Sequence, residues 1–332
     1  MSHRASRAHG WLLRAGGGLM VLVCGGALVL APLETICFAW FAEGGRFGYE
    51  GFGFGSFMFG NLAIQIAGYY LIAALLIPLG YGHLTLRPWI RPITQALVWC
   101  WLVLGVPLTV VLLFILLASK TLTVAVALGA VAACVLAYAV LPAVLLRFYR
   151  GAGVTAALVP DAPADRDAAA AGSRRDAAPL VLRPASLVAG DLDVPRLVVL
   201  GLKAFYLVAL HVLLLFRGLF PRWTGWASGV PGLALIDAAV VILLLLAWGT
   251  YRRSRLAWWG ALAYFGAMGV LWVGTLVRTS WVELLAVLSF PPTEVDILDG
   301  IPLQGWHLAL LVGLPLLLTL VAVLRARPSA EL

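Results

Sequence analysis

The sequence predicts an all-α integral membrane protein with eight transmembrane helices, and three features predict it. Hydrophobic residues make up 63% of the 332-residue chain and charged residues only 11%, too little polar surface to clothe soluble domains. Mean hydropathy is +1.00. Apolar runs of about 20 residues recur along the chain, the length a helix needs to cross hydrocarbon while bonding all its own backbone groups. The same figures exclude a disordered chain, a collagen-like repeat and a secreted disulfide scaffold.

The first span is expected over Leu19–Phe41, after Arg4, Arg7 and Arg14. That start resembles a signal peptide ending at Val29-Leu30-Ala31. Pro32 follows the would-be cut and apolar character resumes through Ile36–Phe41, so an uncleaved span is the reading. The loop Gly44–Gly60 alternates glycine with aromatics, which suits rings resting on a bilayer surface. The second span is expected over Met58–Gly80, the third over Thr94–Leu117 and the fourth over Thr121–Leu145.

Residues 151–193 break the pattern. Asp161–Pro179 is rich in Ala, Asp and Arg without apolar periodicity, so a mobile cytoplasmic linker is expected there. It separates a first four-span half (1–150) from a second (194–332). The second half holds expected spans over Leu197–Leu219, Pro231–Gly249, Leu256–Val277 and Gly305–Leu324. Between the last two, Ser280–Phe290 sets Trp281, Leu284, Leu285 and Leu288 at helical spacing, the pattern of a helix lying in the outer interface. Thr293 with Asp296 reads as a capping box for a following turn.

Basic residues in short loops mark the cytoplasmic side. Arg4, Arg7 and Arg14, then His83, Arg87 and Arg91, then Arg252, Arg253 and Arg255, then Arg325 and Arg327 all fall on one side. Both termini are therefore expected in the cytoplasm. The net charge of +8 follows from this bias and from attraction to anionic lipid, and does not point to nucleic acid. Cys24, Cys37, Cys100 and Cys134 lie inside spans with no C-x-x-C pair, as free thiols do.

Four spans per half would let the halves be parallel repeats. Gly80 to Trp89 and Gly249 to Trp258 align Gly and Trp at one spacing, with Thr85 opposite Ser254. The run Leu79-Gly80-Tyr81-Gly82-His83-Leu84 into Arg87-Pro88-Trp89, with Leu146-Arg147-Phe148-Tyr149-Arg150, resembles a pattern in uncharacterised bacterial polytopic membrane proteins. The resemblance covers about residues 58–150. It implies the bacterial inner (cytoplasmic) membrane and carries over no activity.

Motifs of soluble enzymes are missing: no H-E-x-x-H, Walker A or nucleophile elbow. Polar groups at membrane depth remain, and these are costly enough in hydrocarbon to be site candidates. At 1.5 Å per residue, Glu34, Gln65, His211 and Asp237 come out about 4–6 Å to the outer side of the midplane. If the halves are repeats, the four would surround one outward-opening site. Asn61, Arg217, Arg278 and His307 lie further out, and Lys203 is expected to snorkel to the inner surface. Glu34 is expected either to pair with Arg217 or to hydrogen-bond within its own helix near Pro32. His211 and His307 differ by about 7 Å in depth, which disfavours a shared haem, and Glu294, Asp296 and Asp299 read as a solvated loop rather than a cation site. No cofactor or metal is expected. The leading functional expectation is a carrier or conduit for a small solute or ion. The alternative is a non-catalytic scaffold that docks a membrane or cytoplasmic protein.

Overall fold

A computed structural model describes residues 3–49, 52–118, 123–158, 193–288, 295 and 303–327. Eight helices are long and apolar enough to cross a membrane: Ala8–Phe41, Met58–Leu84, Ile90–Val110, Val124–Arg150, Val194–Phe216, Gly229–Tyr251, Arg255–Arg278 and Gly305–Arg325. All eight expected runs are found.

Helices α1 (His3–Phe41) and α2 (Phe57–Leu84) form a long antiparallel pair. Leu13, Gly17, Cys24, Ala27 and Ala31 are the buried stripe of α1, and all but the first are small, which lets the backbones approach. At Gly17 an added Cβ would stand 2.8 Å from the His83 Cβ and 2.9 Å from the Gly80 carbonyl oxygen. The helix starts at His3 rather than near Leu19 because its first turns have their own partners: Leu13 packs with Ile90, Tyr149, Val154 and Leu158. Two of those partners lie on α6 (Ala152–Leu158), a short helix where the linker was expected to begin. Val154 and Leu158, four residues apart, give it one apolar side. The remainder of that segment, 159–192, lies outside the described residues.

The connecting loop folds onto the ends of α1 and α2. Phe52 and Phe59 pack against Phe38 at ring distances of 5.8 and 4.9 Å, while Phe47, Tyr49 and Phe54 stay exposed. Its rings therefore divide between the helix pair and the outside.

Helix α3 (Ile90–Ala118) is central, touching the fourth, fifth and eighth spans. The fourth span runs as α4 (Val124–Val135), a π turn (Leu136–Val140) and α5 (Leu141–Arg150). Pro142 explains the π turn, because it has no N–H for the Tyr138 carbonyl and would crowd it. The Leu141 N–H reaches back to Leu136 instead. Tyr138 in that turn lies against Gly105 of α3, where a Cβ would come within 2.7 Å of its ring.

In the second half, α7 (Val194–Val212) packs on α3, α8 (Gly229–Tyr251) and α11 (Gly305–Arg325). Helix α9 (Arg255–Arg278) packs on α8 and α11. The core of this half joins Val199 and Leu210, Ile236 and Leu243, Ala261 and Phe265, and Leu316 and Val323. The expected fifth span stops short of Leu219: α7 yields to a 3-10 turn at Leu213–Phe216, and Arg217 closes it with φ 56°. A two-stranded hairpin follows, β1 (Phe220–Arg222) with β2 (Gly225–Ala227), pairing Phe220 with Ala227 and Arg222 with Gly225. Helix α10 (Trp281–Val287) occupies the expected interfacial segment, capped by the Ser280 hydroxyl, with Leu284 and Leu285 buried. Thr293, Glu294, Asp296 and Asp299 lie outside the described residues. The packing adds no support for a repeat: α1 runs along α2, whereas α7 divides its contacts among α3, α8 and α11.

Candidate functional site: an arginine-lined cavity above an apolar groove

The polar residues expected to share one site take three different roles. Glu34 continues the buried stripe of α1 and faces α2. Its Oε1 accepts from the Tyr69 hydroxyl at 2.9 Å and from Gln65 Nε2 at 3.2 Å. Gln65 Nε2 also lies 3.0 Å from the Tyr69 oxygen. Glu34 Oε2 is buried without a hydrogen-bond partner among the described residues. Glu34 and Gln65 are thus brought together, with Tyr69 as the member that sequence reasoning missed. Tyr69 lies one helical turn beyond Gln65, which is the signal that could have found it.

His211 and Asp237 do not join them. His211 is exposed on α7 and uses Nδ1 on its own helix, 2.6 Å from the Leu207 carbonyl. Asp237 is exposed on α8 and has no hydrogen bond or ion pair among the described residues. Asn61 is exposed on α2. Arg217 accepts the Gly229 N–H at its own carbonyl (2.8 Å) and lays its side chain over Gly55, away from Glu34's two partners. Arg278 donates to the Trp223 carbonyl at 3.1 Å and sits over that indole at 4.6 Å. His307 caps its own helix, taking the Gln304 N–H on Nδ1 at 3.0 Å.

Two cavities lie elsewhere. The larger, about 730 Å³, opens at the basic end of the bundle. Asp193, Arg196 and Val199 reach it from α7, Thr250, Arg252 and Arg253 from the end of α8, Arg255, Trp258 and Ala261 from α9, Val323 from α11 and Arg327 from just beyond it. Among the described residues its lining thus holds five arginines and one carboxylate. Aromatic rings hold three of the guanidiniums: Arg196 over Tyr251 (5.6 Å), Arg252 over Trp248 (4.9 Å) and Arg327 over Trp258 (5.7 Å). Trp258 is itself fixed by its indole N–H on the Val323 carbonyl at 2.7 Å. Arg196 donates one terminal nitrogen to the Tyr251 carbonyl, and its buried Nε has no acceptor among the described residues. Planar donors held in place in this way suit a phosphate or carboxylate group.

Lys203 borders this region. It is fully buried rather than snorkelling, because Nζ donates to the Leu246 carbonyl (2.9 Å) and the Thr250 hydroxyl (2.5 Å). Carbonyls in the last turns of a helix attract a cation, so α8 binds the ammonium that the sequence sends toward that end.

The second cavity, about 530 Å³, is apolar and aromatic. Trp101, Gly105 and Tyr138 line it from the third and fourth spans, Phe205 and Tyr206 from α7, Tyr264, Phe265 and Trp272 from α9, and Pro315 and Leu316 from α11. Three helices carry both cavities. Along α7, Val199 in the first and Tyr206 in the second are about 10 Å apart in rise. Between the two levels, the Tyr206 hydroxyl and the Thr319 hydroxyl are 3.1 Å apart, and Phe265 and Leu316 are buried.

A further polar knot ties α2 to the core at the basic end. The Leu79 carbonyl can only accept, so His83 Nδ1 carries the proton across 2.7 Å, and Nε2 accepts from the Tyr149 hydroxyl at 2.6 Å. The Tyr149 carbonyl in turn takes Arg91 Nε at 3.0 Å and Gln95 Nε2 at 2.9 Å. Among the described residues no three His, Cys, Asp or Glu side chains come together.

No protein-family model, curated protein or solved structure matches this chain, so what it does must be argued from these two cavities and the helices that build them.

Proposed function

We propose that the protein is a carrier for an anionic amphiphile, recognising a phosphate-like head at the arginine cavity and an apolar chain in the aromatic groove. One observation carries the reading: the arginine-lined cavity and the apolar groove share the walls of α7, α9 and α11, about two helical turns apart. The expectation of a solute carrier is kept, while its site moves from the outer polar layer to the axis of α3, α7, α9 and α11. The Tyr206–Thr319 layer is then the barrier between the levels. Rings beneath Arg196, Arg252 and Arg327 favour binding because less side-chain freedom is lost when the anion arrives. The positive-inside bias supports placing the basic end, and with it both termini, in the cytoplasm of a bacterial inner membrane.

Titration of the protein in neutral-lipid nanodiscs tests the reading. Phosphatidylglycerol is expected to bind more tightly than phosphatidylcholine, and an Arg196→Ala/Arg327→Ala variant is expected to lose about tenfold or more of that preference. Inorganic phosphate is the second arm. Competition by phosphate alone at equal affinity assigns the cavity to a free anion and removes the amphiphile. Equal binding of both lipids, unchanged in the variant, overturns the reading entirely.

A scaffold is the second reading. The Glu34–Gln65–Tyr69 cluster favours it, being hydrogen-bonded between two helices rather than lining either cavity. A stable partner that co-purifies at fixed stoichiometry, with no lipid preference at the arginine cavity, would decide for it.

A further inference from the structure

His211 and Asp237 line neither cavity. They occupy adjacent antiparallel helices, and Lys203 fixes their relative level, because its Nζ reaches the Leu246 carbonyl. From that contact His211 lies about 12 Å further along α7, and Asp237 about 13.5 Å back along α8. An acid and an imidazole therefore stand at nearly the same depth. Both lie on stripes that are exposed among the described residues: Ala204, Val208 and His211 on α7, and Ala234, Asp237 and Val241 on α8. The buried sides of the same helices carry Leu210, Ile236 and Leu243.

Asp237 sits near the middle of a 23-residue helix, too deep for its short side chain to reach either surface. A carboxyl left against lipid at that depth is costly, and among the described residues nothing in the chain covers it. His211 has spent Nδ1 on the Leu207 carbonyl, which leaves Nε2 as its outward atom. An acid and an imidazole at one level on the exposed stripes of two neighbouring helices is the arrangement that a two-fold axis completes: each acid of one copy meets the imidazole of the other, twice. Ala204 and Ala234 beside the pair permit close approach of the helices.

We propose that the α7–α8 face is a self-association surface, and that a second copy of this chain covers it through two reciprocal His211–Asp237 contacts. The occupant is a second copy rather than a foreign basic helix because the face already holds both members of the pair. Lys203, also on α7, is buried and bonded within the chain. This inference does not depend on the arginine cavity, and its failure leaves that reading untouched.

Single-molecule photobleaching of labelled protein in liposomes, over a range of protein-to-lipid ratios, measures the association. Wild type is expected to dimerise, and Asp237→Asn and His211→Leu each to raise the dissociation constant about tenfold, because either change is present in both copies and removes both polar contacts. The exchanged variant His211→Asp/Asp237→His is expected to recover most of the loss, which a merely misfolded chain would not do. A wild-type monomer at every ratio overturns the proposal. So does a dimer indifferent to both single substitutions, or a cation-bearing partner helix whose stoichiometric binding depends on Asp237 while the protein itself stays monomeric.

Discussion

The α1–α2 pair and the helices around α3 are built on different principles. Only 17% and 11% of the span residues in the pair are buried, against 44% in α3. The pair gains its cohesion from glycine, alanine and one polar cluster along a single seam, and it meets the rest of the molecule mainly through α6, His83 and the loop over Phe216 and Arg217. The α3, α7, α8, α9 and α11 group interlocks large side chains around buried Phe265, Leu243 and Leu316, and it holds both cavities. The difference teaches where function resides. A ligand site needs walls from several elements held in fixed relation, which the central group has and a two-helix seam cannot supply.

That contrast predicts unequal costs for polar substitutions in the two regions. The largest effect is expected at Lys203. Truncation to Ala removes two hydrogen bonds and leaves a hole between α7 and α8, so thermal unfolding in detergent should show a loss of about 3 kcal/mol. Met at the same position fills the volume without a charge, and its cost should be under about 1 kcal/mol. A loss as large with Met as with Ala would mean that the ammonium itself, not the packing, holds the helices.

His83→Ala comes next. It strips the Tyr149 hydroxyl of its partner at the junction between the pair and the core, at an expected cost of about 2 kcal/mol. Hydrogen exchange should rise in α1 and α2 while α9 and α11 stay protected. A uniform rise across all helices would erase the distinction between the regions. Glu34→Gln is the smallest. The amide keeps the contact with Tyr69 inside the seam, and a shift of about 0.6 kcal/mol or less is expected in the same unfolding assay. A collapse of the fold would show the seam to depend on charge.

Most of the architecture was legible because hydropathy is a one-dimensional signal and spans are one-dimensional features. The elements that escaped are short or conditional. Helix α6 depends on only Val154 and Leu158 meeting Leu13, the π turn on Pro142, and the hairpin on Trp223-Thr224 turning between two three-residue strands. The site was less legible. Counting along spans placed Glu34, Gln65, His211 and Asp237 at similar depth, but depth carries no azimuth, and apart from Asp237 the middle of α8 is apolar on every side. Which way Asp237 faces is decided by packing alone. The arginines at 196, 252, 253, 255 and 327 were visible as an orientation signal, and only the fold shows that three separate loops and helix ends bring them to one cavity.

Transport tests the central claim most directly. Proteoliposomes holding wild type should move fluorescent phosphatidylglycerol between leaflets faster than fluorescent phosphatidylcholine. The Arg196→Ala/Arg327→Ala variant, still folded by circular dichroism, should fall to the rate of protein-free vesicles. Identical rates for both lipids, or an unaltered rate in the variant, would contradict the account.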